Sequence, residues 1–411
     1  MLVNPVRFPD RHFQARLLRW SHTNKAIDAT KSASTPTATE IYFMSIKRIF
    51  RNAAALFAAA IILFNTAAAS AAVGDLATGP VNLGSAGPLA FGPDGVLFVA
   101  DPANAAIYAI HTGDTARGPA SKSVSVQAIN DKIAAMMGTS GDQLNIVDMA
   151  ANPISGNVYF SVAAGRTPNS PVALIKLTLD GNLEHFSLDN IRHSSATLPN
   201  PANNGQGRRG NPRMQSVTDL QYHDGKLFIA GLSNEEFASK LHSVQYPFSS
   251  VSGGTSIEIY HANHGALETR SPIRTFALYP INNEPHLHAG YTCTPLVKIP
   301  IQQLGPEHKI VGDTIAELGS RNTPLDMFPY TKNGHDYLLI ANTSRGIMKV
   351  ELDGVANAAS ITERIGGIAG TPYETIEDLQ GVAQIDKLDN AHAVVLSSED
   401  NVYDLYTIEL P

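Results

Sequence analysis

Short apolar runs alternate with polar positions from Leu144 to Leu410, and they recur in a fixed order. The opening phrase is an apolar run holding an acid: Ile146-Val147-Asp148-Met149, Val217-Thr218-Asp219-Leu220, Pro324-Leu325-Asp326-Met327 and Ile376-Glu377-Asp378-Leu379. The closing phrase is a strand of period two running into a turn, as in residues 174–181 and 347–354. Turn pairs sit between the runs at Pro93-Asp94-Gly95, Ser155-Gly156-Asn157, Asp224-Gly225, Asn282-Asn283, Asn333-Gly334 and Asp389-Asn390, which predicts six hairpins. Asn130 as N-cap, Asp131 in the first turn and Gly138 as C-cap predict one helix over 130–138.

A repeat of roughly 50 to 60 residues made of short strands cannot bury its own faces, so copies must pack on one another. The reading is an all-β chain forming a single β-propeller of six four-stranded blades, or seven if residues 188–214 hide a degenerate one. Residues 80–83 are expected to lend the last blade its fourth strand, so that the two termini close the ring.

The N-terminal part changes the picture of where the chain works. Met44 opens a basic segment with Lys47, Arg48 and Arg51, followed by the apolar run 53–64 and the small-residue site Ala69-Ser70-Ala71. This order predicts a secretory signal peptide over 44–71 and a periplasmic or secreted β domain over 72–411; residues 1–43 read as an upstream extension from an early start codon. A run of about 12 apolar residues is short for a span of about 20, so no membrane span is expected in the mature chain. Without residues 1–71 the chain keeps 30 − 9 = 21 Lys+Arg and 37 − 3 = 34 Asp+Glu, moving the formal charge from −7 to −13. That balance argues against nucleic acid and anionic membrane as partners; the partner expected from the pocket described below is a small-molecule ligand. Cys293 is the only cysteine, so no intramolecular disulfide is available.

The run Gly87-Pro88-Leu89-Ala90-Phe91-Gly92-Pro93-Asp94-Gly95-Val96-Leu97-Phe98-Val99-Ala100-Asp101 resembles the blades of NHL-repeat, regucalcin/gluconolactonase-like and YncE-like propellers. The resemblance covers most of residues 80–410 and rests on fold-making residues. It implies either a binding or scaffold role without catalysis, as in the YncE-like kind, or a metal-dependent lactonase with a Glu, an Asn and an Asp on the metal. Leu89 occupies the repeat position in the first unit where an acid is expected for the second.

In such an architecture Asp148, Asp219, Asp326 and Asp378 ring the mouth of a central channel, with Arg274 at the fourth repeat. Crowded carboxylates call for a cation such as Ca²⁺ or Mg²⁺, for Arg274, or for raised pKa values; alternatively the repeated acids cap backbone amides between units. Loops on the same face add Asn234, Glu235, Cys293, Asn342 and Arg345 as ligand-binding candidates, and the long segments 188–214 and 233–254 are expected to cover the pocket. Arg208, Arg209 and Arg213 offer an anion clamp there. A copper centre on His264, His288 and Cys293, serving an oxidoreductase, is a further alternative. No Gly-x-Ser-x-Gly elbow, phosphate loop or His-Glu-x-x-His pair is present.

Overall fold

A computed structural model of the chain describes residues 76–411 except 120–122, 168–169, 208–209, 249 and 293–294. The export signal at 44–71, the 1–43 extension, Arg208, Arg209 and Cys293 lie outside the described residues. Among the described residues no helix is long and apolar enough to cross a membrane.

All six hairpins form. Two-residue turns require both central residues to enter the left-handed region, which Asp, Asn and Gly tolerate. φ is 45° and 77° at Asp224 and Gly225, 52° and 64° at Asn282 and Asn283, and 55° and 83° at Asn333 and Gly334. The first strands of the hairpins are β1 (Leu89–Phe91), β2 (Leu144–Ala151), β3 (Asp219–His223), β4 (Ile273–Ile281), β5 (Pro324–Lys332) and β6 (Val382–Lys387). They stand side by side in the order β1-β2-β6-β5-β4-β3 and back to β1, enclosing a central cavity.

Outside that ring the fold departs from six uniform four-stranded blades. The strands form sheets of five, ten, four, four and four strands. The ten-stranded sheet arises because Ser256–Ile259 pairs in parallel with Lys309–Gly312, joining the sheet that begins at β3 to the one that begins at β4. Its end strands β3 and β4 also touch, so this sheet nearly closes on itself like a barrel. The physical cause lies in the strand Lys309–Leu318, whose first half runs past its antiparallel partner Pro295–Pro300 and meets the open edge of Thr255–His261. An unpaired edge of N–H and C=O groups takes such a partner readily. The regular NHL, regucalcin or YncE architecture, and the propeller reading built on it, are therefore corrected.

Closure differs as well. Ser125–Val126, not residues 80–83, supplies the fourth strand beside Val402–Glu409. Ala77–Gly79 pairs with Ile191–Thr197 and makes the first sheet five-stranded. The helix α1 runs Ile129–Met136 with Ala128 at its N-cap. Asn130 lies inside it, and its amide bonds across to the Asn401 carbonyl at 3.0 Å and the Tyr403 N–H at 2.9 Å, so a tertiary contact has taken the residue expected to cap. Between neighbouring sheets lie six apolar clusters, including the aromatic group Phe98, Tyr222, Tyr246 and Phe248.

Candidate functional site

Four of the six inner strands bend, and two of the ring acids sit at the bends. β2, β4, β5 and β6 each show a register irregularity near the same end, between Ile146 and Asp148, Ile273 and Thr275, Pro324 and Asp326, and Val382 and Gln384. A bulge re-aims the next side chain; Asp148 and Asp326 directly follow two of these irregularities, whereas the strand of Asp219 shows none and Asp386 lies further along β6. All four acids accept from backbone amides of the inner strands. Asp148 accepts from the Met149 N–H at 2.9 Å and from Leu89 on β1 at 2.6 Å. Asp219 accepts from Leu220 at 2.7 Å and from Phe276 on β4 at 2.8 Å. Asp326 accepts from Met327 at 3.0 Å and from Ile385 on β6 at 3.3 Å.

The fourth member is Asp386, which accepts from Lys387 and from Ala151 on β2, both at 2.7 Å. Asp378 sits exposed in the turn after Tyr373–Ile376, on the outermost strand of its sheet, so its place in the ring is corrected. A signal for this was present in the spacing. Asp148, Asp219 and Asp326 precede their hairpin turns at Ser155, Asp224 and Asn333 by seven, five and seven residues, whereas Asp378 precedes Asp389 by eleven.

Each acid thus ties its own strand to a neighbouring inner strand. No three of their oxygens lie within 4.8 Å of one another, so the ring does not gather a Ca²⁺ or Mg²⁺ ligand set. The four carboxyls are partly open to the cavity but lie deep below the outer surface. Burial raises their pKa values, and the charges of the other ring acids add to the rise at all but Asp386. Asp219 is pushed up to about 7 and Asp386 to about 6, while Asp148 and Asp326 stand well above the usual carboxylate range.

The cavity has a volume of about 1100 Å³. Val147, Met149, Val217, Tyr222 and Leu325 form apolar parts of its wall, and Gln221, Gln384, Arg274 and Lys387 join the acids. Arg274 lies at the bulge of β4, and none of the described carboxylates forms an ion pair with it. Its Nε is buried without a hydrogen-bond partner among the described residues, as is Oε1 of Gln384, whose Nε2 donates to the Val147 carbonyl at 2.8 Å. Burial lowers the basicity of Arg274, but a guanidinium stays charged at ordinary pH.

Asn234, Glu235, Asn342 and Arg345 do not line this cavity. Asn234 and Glu235 meet the segment around Asn200, and Glu235 is spent on the buried Lys240 at 2.7 Å and on Asn200 at 3.1 Å. The Asn342 amide accepts from Asn322 at 2.9 Å and donates to the Ile340 carbonyl at 3.1 Å, so it braces a turn. Arg345 packs against Gly319. Of the two long segments, 188–214 contains the strand Ile191–Thr197, and its later part places Gln206, Gly210, Asn211 and Met214 on the cavity wall. The other, 233–254, contains the strand Ser239–Gln245, and none of its described residues lies on the wall. The expected double lid is therefore a single flank. Arg213 donates its Nε to the Ala202 carbonyl at 2.7 Å.

The copper grouping is also redrawn, because His264 meets His261 and Glu268. His288 is fully buried, and burial lowers its pKa to about 3. Two clusters among the described residues have ligand atoms close enough to hold a metal ion: His261 with His264 and Glu268, and His335 with Glu351 and Asp353.

No protein-family model matches the chain, and no curated protein does. Among solved structures the chain is similar to a protein of Thermus thermophilus described as a candidate oxidoreductase (glucose dehydrogenase). The identity is 14%, the match covers 81% of this chain and all of the other, and the TM-score is 0.31. At that overlap the likeness carries no argument about fold or activity. The binding, lactonase and copper readings inherited from a regular propeller lose the scaffold they were drawn from, and only the cavity itself bears on function.

Proposed function

We propose that the chain binds a small polar molecule in the central cavity, with an anionic or carbonyl oxygen of the ligand on the guanidinium of Arg274. The observation that carries this reading is Arg274, which lines a cavity of about 1100 Å³ and forms no ion pair with a described carboxylate. A guanidinium without a carboxylate partner can take a ligand carboxylate or carbonyl oxygen through its N–H groups. The cavity is at the upper end of the range for small-molecule sites, and its apolar wall segments offer burial for a ligand's carbon frame. The raised pKa values of the ring acids favour the neutral form, so they can donate to ligand oxygens as well as accept. On the export signal read from the sequence, the ligand is met in the periplasm or outside the cell.

The test is a thermal-unfolding screen against hydroxy acids, sugar acids, keto acids and polyols, run on the wild type and on Arg274→Leu. A ligand at about a hundred times its Kd stabilises by about 2.7 kcal/mol, which raises the melting temperature by a few degrees. The shift is expected to vanish in Arg274→Leu. A panel that shifts neither protein, or a hit that shifts both equally, would count against the reading.

A further inference from the structure

Well away from the central cavity, the strand Thr255–His261 turns sharply into Ala266–Glu268. The turn is tight: the N–H of His264 bonds to the His261 carbonyl at 3.1 Å and that of Gly265 at 2.8 Å, with φ of 65° at Gly265. It stacks the rings of His261 and His264 at a centroid distance of 3.9 Å and sets Glu268 beside both. Nδ1 of His264 lies 2.5 Å from Oε1 of Glu268, and Nδ1 of His261 lies 3.1 Å from the same oxygen. His261 is 1% exposed, and neither of its ring nitrogens makes a hydrogen bond within the described residues. Two imidazoles and a carboxylate thus converge, with their ligand atoms within 4.8 Å of one another.

A hydrogen-bonded ion cluster explains this arrangement poorly. One carboxylate oxygen faces two ring nitrogens, the buried ring gains no hydrogen bond from it, and two protonated rings at 3.9 Å would repel. A metal ion resolves all three points, since each neutral ring gives one lone pair and the carboxylate supplies the charge. The turn that carries the three residues is braced from behind. The buried Glu317 accepts from the Ala262 N–H at 2.7 Å and from the Asn263 amide at 3.0 Å, while Asn263 accepts from the Gly367 N–H at 3.0 Å. Ser271 donates to the far oxygen of Glu268 at 3.0 Å. The stem of Arg364 covers Gly265 on one side, and His264 keeps 55% of its side chain open to solvent, which leaves an entry path.

We infer that His261, His264 and Glu268 form a site for one divalent transition-metal ion of the zinc class. The donor set of two imidazoles and one carboxylate suits Zn²⁺, whereas Ca²⁺ and Mg²⁺ prefer six or more oxygens. The ion would clip the end of Thr255–His261 to the hairpin that follows it.

The test titrates the full chain, without an affinity tag and after chelation, with Zn²⁺, Ca²⁺ or Mg²⁺ in a calorimeter. One Zn²⁺ per chain is expected at micromolar affinity or tighter, with no comparable signal from the other two ions. His264→Ala and Glu268→Gln change partly exposed residues outside the core, and circular dichroism checks that both fold. Each should weaken Zn²⁺ binding by at least about tenfold, and His335→Ala in the second cluster should leave it intact. The Co²⁺-loaded chain should show the visible absorption of a low-coordinate site, lost in His264→Ala. Absence of Zn²⁺ binding overturns the inference, as does an affinity that either His264→Ala or Glu268→Gln leaves unchanged, or one that His335→Ala abolishes.

Discussion

At the scale of single residues, the acids of the inner ring serve first as acceptors for backbone amides of their own strand and of the neighbouring inner strand. Asp386 and Asp378 separate this role from a general effect of charge. Asp386→Asn puts an NH₂ against the N–H of Ala151 or Lys387, so one buried donor loses its acceptor and the variant should lose about 1–3 kcal/mol of stability. Asp378→Asn alters an exposed turn and should stay within about 0.5 kcal/mol of wild type. Urea unfolding of the two variants checks this, and equal losses would refute the assignment of Asp386. The phrase Ile376-Glu377-Asp378-Leu379 resembles an inner strand in composition. What sets it apart is its distance from the Asp389 turn, together with pairing to Ile347 on an outer strand.

At the scale of elements, local chemistry was legible and edge pairing was not. Asp224-Gly225 and Asn333-Gly334 make their turns because few other pairs enter the left-handed region cheaply at both positions. Nothing within Lys309–Gly312 says that it will add to the edge of Ser256–Ile259, because that pairing depends on where two other sheets bring the edges. The strand Lys226–Leu232 shows how one element sets the cavity wall. A Cβ on Gly231 would stand 2.0 Å from the backbone oxygen of Ser216, so Gly231→Ala must displace the segment that carries Met214, Gln215 and Val217. The substitution should cost about 1–3 kcal/mol and weaken binding of any ligand found in the thermal screen. Wild-type stability and affinity in Gly231→Ala would show that this wall moves freely.

At the scale of the whole molecule, the ring acids act together on the response to pH. Their folded pKa values lie above the ordinary carboxylate value near 3.8, so between about pH 4 and 7 the folded state binds more protons than the unfolded chain. Their stabilising contribution is complete below about pH 4 and is lost as pH rises through about 6 for Asp386 and about 7 for Asp219. His288 and His242 run the other way: burial holds them at about 3 and about 4, so up to about pH 6.5 the unfolded chain binds their protons more readily and stability from these groups rises with pH. Melting followed by circular dichroism should therefore weaken from about pH 6.5 to 8, where only the ring acids still release protons, and Asp219→Asn should flatten that fall. A melting temperature that climbs steadily over the interval would overturn the argument.

The sequence by itself determined what short-range chemistry decides: period-two strands, six hairpins at the turn pairs, and an acid in three of the inner strands at Asp148, Asp219 and Asp326. These depend on side-chain alternation and on φ at one or two residues, and they need no partner from elsewhere in the chain. Tertiary structure alone decided that Ser125–Val126 closes the last sheet and that the sheets beginning at β3 and β4 join into one. It also decided that Asp386 completes the ring and that Arg274 faces the cavity without an ion pair. Those outcomes rest on contacts between residues far apart in the chain, where the available edge, the depth of burial and the neighbouring charge are properties of the packed molecule.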